Sequence, residues 1–451
     1  MRNPMFEFDE AMTDLIFEYC RERLVEHPVP LDYGGVFPVE FAEALSGLLG
    51  AEGNDPAKVL ALYSEQLAPA IVSADSPRFL SFIPAAPTKA SLLFDMVVSC
   101  SALHATSWLE AAGAVAAENQ ALRLLADLAG LPAGAGGCFV SGGSLGNLSA
   151  LVVARDTAAA RGVGTPQGRP LVAVSEEAHS SIAGALNIIG ADAFLVPSVD
   201  HRLTGGALAA ALATGPGAEH VVAVVATGGT TNAGIIDDLA GVGAVARERN
   251  LWFHVDGAYG GAALFAPSVR GRFDGIEQAD SFIVDPHKWL YAPFDSCALL
   301  YREPALAKAV HSQKAGYLDV LKGEEWNPSD YAIHLSRRPR GMPLWFSLAV
   351  YGTNAYAEAV ARSITTAAAC AEYIETVPYL ELVRRPELSI VVFRRRDWSL
   401  EDYNAWSTDL LAAQRGFVTP TTWEGTPAAR LAILHPDTDM AMLEGILATM
   451  A

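Results

Sequence analysis

The 451-residue chain is short of cysteine, of basic residues and of long apolar runs, and each shortage removes a class of function. Its five cysteines (Cys20, Cys100, Cys138, Cys297, Cys370) are an odd number with no C-x-x-C and no Cys/His cluster, so neither a disulfide framework nor a metal site is expected. Lys plus Arg number 31 against 51 Asp plus Glu, a formal net charge of -20. Such a surface repels a phosphate backbone and an anionic membrane, so nucleic acid and lipid are not expected partners. No apolar run reaches the length of a membrane span, and MRNPMFEFDE lacks a basic stretch leading into an apolar core. The expectation is a cytoplasmic protein. Repeats and low-complexity segments are missing as well. What is present is ample apolar material, 51% hydrophobic against 18% charged, enough for one large or two to three ordinary domains.

Residues 5 to 70 carry apolar positions at helical spacing, as in FDEAMTDLIFEYCRERL and FPVEFAEALSGLL, interrupted by HPVPLDYGG. From about residue 112 the pattern alternates between helix-like stretches and short β-rich runs: GGCFVSGGS, LVAVSEEA, HVVAVVATGGTT, LWFHVDGAYG and SFIVDP. Continuous apolar strands alternating with helices predict a mostly parallel α/β sheet covered on both faces. After a polar loop, GEEWNPSDYAIHLSRRPRG, strands at LELVRRPELSIVVFRR and AARLAIL predict a small α+β carboxy-terminal domain.

Ligands of open parallel sheets gather at the carboxyl ends of the strands, so the residues there carry the functional signal. SGGSLGN (141 to 147) combines glycines, which let a ligand approach the backbone, with a helix start whose free N–H groups suit a phosphate. The same residues fit G-x-S-x-G, a hydrolase elbow centred on Ser144, with Asp256 and His287 downstream in a usable order. Asp256 follows an apolar strand and needs an N–H or cationic partner; His179 follows another strand in SEEAHSSIAG. Lys288, closing SFIVDPHK, separates the readings. A hydrolase has no use for a lysine there, whereas an enzyme that binds an aldehyde through an amine requires one, desolvated by SFIV and Trp289 so that its pKa falls. A phosphate cradle, a stacking histidine, a carboxylate and a lysine are the parts that hold and tune pyridoxal 5'-phosphate.

With these residues in view, the sequence resembles the group II pyridoxal-phosphate-dependent decarboxylases, and among them the aromatic L-amino-acid decarboxylases. The likeness covers nearly the whole chain and rests on SPRFLSFIP (76 to 84), SGGSLGNLSAL (141 to 151), AHSS (178 to 181), HVDGAYGG (254 to 261), ADSFIVDPHKWL (279 to 290) and SRRPRG (336 to 341). The separation of Asp256 and Lys288, 288 - 256 = 32 residues, agrees with the family. The resemblance implies an aspartate-aminotransferase-like fold (fold type I) in three parts: a helical segment 1–85 packed on a partner subunit, a cofactor domain 86–350 and a small domain 351–451. It also implies a homodimer with its active sites at the interface. By the same resemblance Lys288 bonds the cofactor aldehyde, Asp256 pairs with the pyridine nitrogen and His179 stacks on the ring. Gly143, Ser144 and His287 contact the phosphate, with Ala258 beneath the ring and Thr227 nearby. Tyr317, 317 - 288 = 29 residues past the lysine on a polar loop, falls where the family carries its catalytic acid.

Departures bear on substrate. Phe82 and Ile83 keep the apolar wall of the family's pocket, but Ala74, His104 and Thr106 stand where animal relatives carry tryptophan, isoleucine and phenylalanine, which implies a more open or more polar pocket. Asp285 stands where the family often has asparagine; a carboxylate there repels phosphate, so it is expected to turn away or to meet an arginine such as Arg340. Arg430, in AARLAIL, matches the carboxylate-binding arginine of aminotransferases, a clamp that hinders loss of carbon dioxide, so a structural role is favoured. The expected activity is decarboxylation of an L-amino acid, with an aldehyde synthase or aminotransferase as the alternative and a serine hydrolase more remote.

Overall fold

A computed structural model describes residues 4–32, 38–83, 86–162, 168–313 and 325–451. Seven short strands, β1 (Gly136–Val140), β2 (Leu171–Ser175), β3 (Asp192–Val196), β4 (Val221–Thr227), β5 (Trp252–Asp256), β6 (Ser281–Val284) and β7 (Cys297–Tyr301), form one sheet in the order β1-β7-β6-β5-β4-β2-β3. From β3 across to β6 every pairing is parallel; β7 runs antiparallel to both β6 and β1. Every residue of β1, β4, β5, β6 and β7 is buried, which is why these strands read as continuous apolar runs rather than as alternating ones.

Successive side chains of a strand point to opposite faces, and the two faces own separate cores. Phe253, Val255, Phe282 and Val284 join one core with the helices Trp108–Leu128, Gly205–Thr214, Leu239–Arg249 and Met342–Thr376. Trp252, Ile283, Leu299 and Val225 join the other, with the helices Gly143–Ala160, Ser180–Ile189 and Pro304–His311. The helices start where the sequence provides an oxygen or nitrogen acceptor for a free backbone N–H: Thr88, Ser107, His179, Thr204 and Asp238 each cap one.

A second sheet, β8 (Leu380–Arg384), β9 (Ile390–Arg395), β10 (Pro420–Trp423) and β11 (Thr426–Ala432), is antiparallel in the order β10-β11-β9-β8. It packs against Cys370 and Ile374 of Met342–Thr376, against Leu410, and against Leu80. Leu80 is tied in by its N–H to the Phe417 carbonyl (2.9 Å) and by its carbonyl to the Ala432 N–H (2.9 Å), which explains the SPRFLSFIP motif as a seam between the amino-terminal region and the small sheet. The SRRPRG motif has a similar purpose. Arg337, fully buried, donates to Glu118 (2.7 Å) and to the Ala105 carbonyl (2.9 Å), while the Gly341 N–H also donates to Glu118 (2.7 Å). Removing either charge strands the other in the core, at about 3–5 kcal/mol. Among the described residues, no helix is long and apolar enough to cross a membrane.

Candidate active site

The carboxyl ends of β1, β4, β5 and β6 and the first turn of the helix Gly143–Ala160 open onto one cavity of ≈ 760 Å³. Gly143 and Ser144 lie at the helix start; Thr227 closes β4, Asp256 closes β5 with Ala258 two residues on, and His287 and Lys288 follow β6; His179 sits after β2. All eight line the cavity. A Cβ on Gly143 would lie 3.0 Å from Asp285 Oδ2 and 3.1 Å from the Ala258 Cβ, so only glycine leaves this amide open to the cavity.

Asp256, 5% exposed, finds N–H partners: Ala258 N donates to Oδ1 (3.1 Å) and Asn147 Nδ2 to Oδ2 (2.9 Å). His179 is the N-cap of Ser180–Ile189; its Nδ1 accepts the Ser181 N–H (3.2 Å), and its exposed ring stands at the cavity edge. Asp237 organises the end of β4 by accepting the N–H of Thr227 (2.6 Å) and of Leu203 (2.7 Å), and burial pushes its carboxyl up to about 7.

The lysine corrects the sequence reading in one respect. Burial lowers its pKa as expected, but the Asp285 carboxylate, with Oδ2 3.0 Å from Nζ, and then Asp256 outweigh it, and the net shift is upward. Lys288 is thus an ammonium held in an ion pair. The pair contributes stability that is fully present below the unfolded lysine value of about 10.4 and is lost as pH rises through the higher folded one. A second correction follows from the same contact. Asp285 does not turn away and does not meet Arg340, whose Nε donates to Asp295 (2.8 Å) instead; it accepts the Gly143 N–H (3.2 Å) inside the cradle and is 1% exposed.

The geometry argues against the hydrolase reading. Ser144 is the second residue of a helix and keeps a negative φ, unlike the strained nucleophile of an elbow. His287 spends Nδ1 on the Ser296 N–H (2.9 Å), its Nε2 faces Asp285 at 3.6 Å, and burial lowers its pKa; among the described residues no hydrogen bond joins it to Ser144.

The four pocket candidates are not brought to this cavity within one chain. Phe82 is 59% exposed and clusters with Phe79 and Phe417, and Ile83 is buried in the main core. His104 bridges Glu110 (2.9 Å) and Thr106 (2.9 Å), and Thr106 also donates to the Leu335 carbonyl (3.1 Å). Arg430 stays outside too, donating to the Phe82 carbonyl (2.7 Å), with burial lowering its pKa to about 10. Tyr317 lies outside the described residues.

Sequence reasoning missed Asn147, His254 and Ser181. A signal for the first two was there: Asn147 is one helical turn after Gly143, and His254 is two residues before Asp256 on the same face of β5.

A lysine, a helix start with open amides and a buried carboxylate around one cavity fit a pyridoxal-phosphate enzyme of fold type I. Comparison with known proteins agrees. Residues 48–396 match the family described as the pyridoxal-dependent decarboxylase conserved domain. The chain is 30% identical over 351 residues to an aromatic-L-amino-acid decarboxylase of Bacillus atrophaeus, covering 76% of this chain and 72% of that one. It is 34% identical over 312 residues to an L-2,4-diaminobutyrate decarboxylase of Rhizobium meliloti, covering 67% and 62%. A crystal structure of Oryza sativa TDC with PLP and tryptamine superposes with a TM-score of 0.88 at 24% identity, covering 98% of this chain and 96% of that one. The chain belongs to the pyridoxal-dependent decarboxylase family. It is an enzyme whose cofactor is pyridoxal phosphate.

Asp285 gives this member a testable peculiarity. Its carboxylate shares the Gly143 amide that a phosphate would use. Two like unit charges about 4 Å apart repel by about 1 kcal/mol even in bulk water. Asp285→Asn is expected to tighten cofactor binding by at least roughly fivefold, measured by dialysis and fluorescence of the released cofactor. It should also lower the Lys288 pKa, so that capture of pyridoxal phosphate at neutral pH accelerates. Weaker binding in the variant would instead make Asp285 a required anchor.

Proposed function

We propose that the protein decarboxylates an L-amino acid with an aromatic side chain to the amine and carbon dioxide. The observation that carries this reading is the convergence of Lys288, Asp256, His179 and the Gly143 amide on one cavity at the strand ends. The bound cofactor supplies an electron sink for the carbanion left when carbon dioxide departs. With the cofactor bound, Lys288 would hold it covalently through Nζ, Asp256 would keep the pyridine nitrogen protonated, and His179 would present its ring to it, while Gly143, Ser144 and His287 would receive the phosphate and Thr227 and Ala258 would shape the floor. Aromatic specificity draws on the resemblance to the Bacillus atrophaeus relative, whereas the diaminobutyrate relative, at similar identity, argues for including basic amino acids in any screen.

We propose further that the enzyme works as a cytoplasmic homodimer divided as 1–85, 86–350 and 351–451, and that a second chain brings the exposed Phe82 and His104 to the pocket, Ile83 and Thr106 being buried behind them in their own chain. Two observations support a second chain. The helix Glu10–Val25 buries none of its residues while Phe8, Met12, Ile16 and Phe17 are exposed, and the four pocket candidates stand away from their own chain's cavity. The five cysteines are all free, as suits a reducing compartment.

The decisive assay presents the twenty common amino acids, dihydroxyphenylalanine and 5-hydroxytryptophan and scores amine and carbon dioxide. Equal yields without keto acid, ammonia or peroxide support decarboxylation; keto acid or aldehyde would move the chain to its rivals. Tyr317 is proposed to deliver the proton to the α-carbon. Tyr317→Phe is therefore expected to cut amine yield at least roughly 100-fold, in the range for loss of a general acid, and to raise aldehyde. An unchanged amine yield removes that tyrosine from the mechanism.

A further inference from the structure

We propose that Asn147 is a positioning residue that ties together the proton positions of the two groups flanking the cofactor ring, Asp256 and His179, through a hydrogen-bond chain anchored in the sheet. The proposal rests on the cofactor reading above and extends it to residues which that reading does not use.

The chain has a definite direction. The Trp252 indole can only donate, and gives its proton to Ser281 Oγ (2.8 Å). Asn147 must turn its NH₂ group to the Asp256 carboxylate (2.9 Å), because an ionised carboxylate only accepts; the same NH₂ reaches Ser181 Oγ (3.0 Å). The amide oxygen is left facing His254 Nε2 at 2.8 Å, so that nitrogen carries the proton. His254 Nδ1, 2.8 Å from Ser281 Oγ, is then the acceptor of the serine proton. At the other end Ser181 Oγ, having accepted from Asn147, turns its proton to His179 Nδ1 (2.9 Å), whose one lone pair is shared between this O–H and the Ser181 N–H (3.2 Å).

Every link is thereby assigned: at both histidines Nδ1 is the acceptor, which puts the proton on Nε2, and both partners of Asp256 are donors. Burial supports this for His254, which is 0% exposed and whose pKa is lowered by desolvation despite the nearby Asp256 charge. The anchor is the parallel register of β5 and β6, which sets His254 opposite Ser281, while the helix Gly143–Ala160 brings Asn147 to the strand end. Buried networks of this kind polarise their members jointly, so a cut in the middle reaches both ends.

The test has two arms, both on the full chain loaded with cofactor. In ¹⁵N spectra of histidine-labelled protein, His254 and His179 should each show an Nε2–H tautomer at pH 8, and Asn147→Ala, which removes the acceptor of His254 Nε2 and the side-chain donor to Ser181 Oγ, should shift the ¹⁵N signals of both residues at once while Nδ1 stays the acceptor at each. In kinetics, His254→Phe and Asn147→Ala should each lower kcat roughly 10- to 100-fold, the scale seen for outer-shell partners at metal sites, with KM changed little. The double variant should be no worse than the poorer single one, and His254→Gln, whose amide can donate to Asn147 Oδ1, should recover most of the loss. An Nδ1–H tautomer at His254 in the unmodified protein, a double variant whose losses multiply, or equal losses in Phe and Gln variants would each overturn the proposal. The tautomer arm needs no turnover, so it can fail while Lys288 still captures the cofactor, which separates this proposal from the decarboxylase reading.

Discussion

Alanine at position 288 is expected to abolish amine formation, lowering kcat on the order of 10⁴-fold or more, and to leave the cofactor unattached when the protein is treated with borohydride. A loss of that size is about 5 kcal/mol of barrier at 1.36 kcal/mol per tenfold. It is large because Lys288 is the one lysine lining the cavity among the described residues, and no neighbouring amine can form the covalent bond in its place. The variant carries a complication that can be designed out. Asp285 has its cation in Lys288, and breaking a buried pair typically costs about 3–5 kcal/mol. The double variant Lys288→Ala, Asp285→Asn removes both charges. It should melt closer to the unmodified protein and remain as inactive, which isolates the chemistry from the fold. Amine production above about one per cent of the unmodified rate in either variant would mean that the bond to Lys288 is dispensable.

Asp256→Ala should separate holding the cofactor from tuning it. Lys288 and the cradle remain, so borohydride should still fix the cofactor to the protein. In the role proposed for Asp256 the pyridine nitrogen would lose its anionic partner, and kcat should fall on the order of 10³-fold, about 4 kcal/mol, comparable to removing a preorganised group aimed at transition-state charge. The substitution also leaves the Ala258 N–H and the Asn147 amide without their acceptor, so a modest drop in melting temperature is expected. Mass spectrometry of the reduced protein and amine yield measured on one sample decide it. Full activity with bound cofactor would remove Asp256 from the proposed role, and loss of cofactor with loss of activity would reassign it to binding alone.

Much of this site was legible beforehand because its residues close strands that announce themselves. VVAVVAT, WFHVD and SFIV are continuous apolar runs, and a polar or charged residue ending such a run has few structural reasons to be there. Strands β3, β7 and β10 escaped the sequence reading for the converse reason. In DAFLV only Phe194 and Val196 are buried, as befits an edge strand, and PTTW is four residues long with a single buried side chain. CALLY is fully buried, but a five-residue apolar run carries no period that separates strand from helix.

The sequence by itself determined the fold class, the cofactor and the set of strand-end residues that share one cavity, because local apolar periodicity and short motifs specify which segments are buried strands and where they stop. Only the tertiary structure decided who partners whom. It joined Lys288 to Asp285 rather than leaving the amine dry, gave Arg340 to Asp295, and threaded His254, Asn147 and Ser181 into one chain with Asp256. Asn147 and His254 are 107 residues apart. Such pairings depend on strand register and on how a helix seats against the sheet, and these are settled by packing across the whole molecule rather than by any local run of residues.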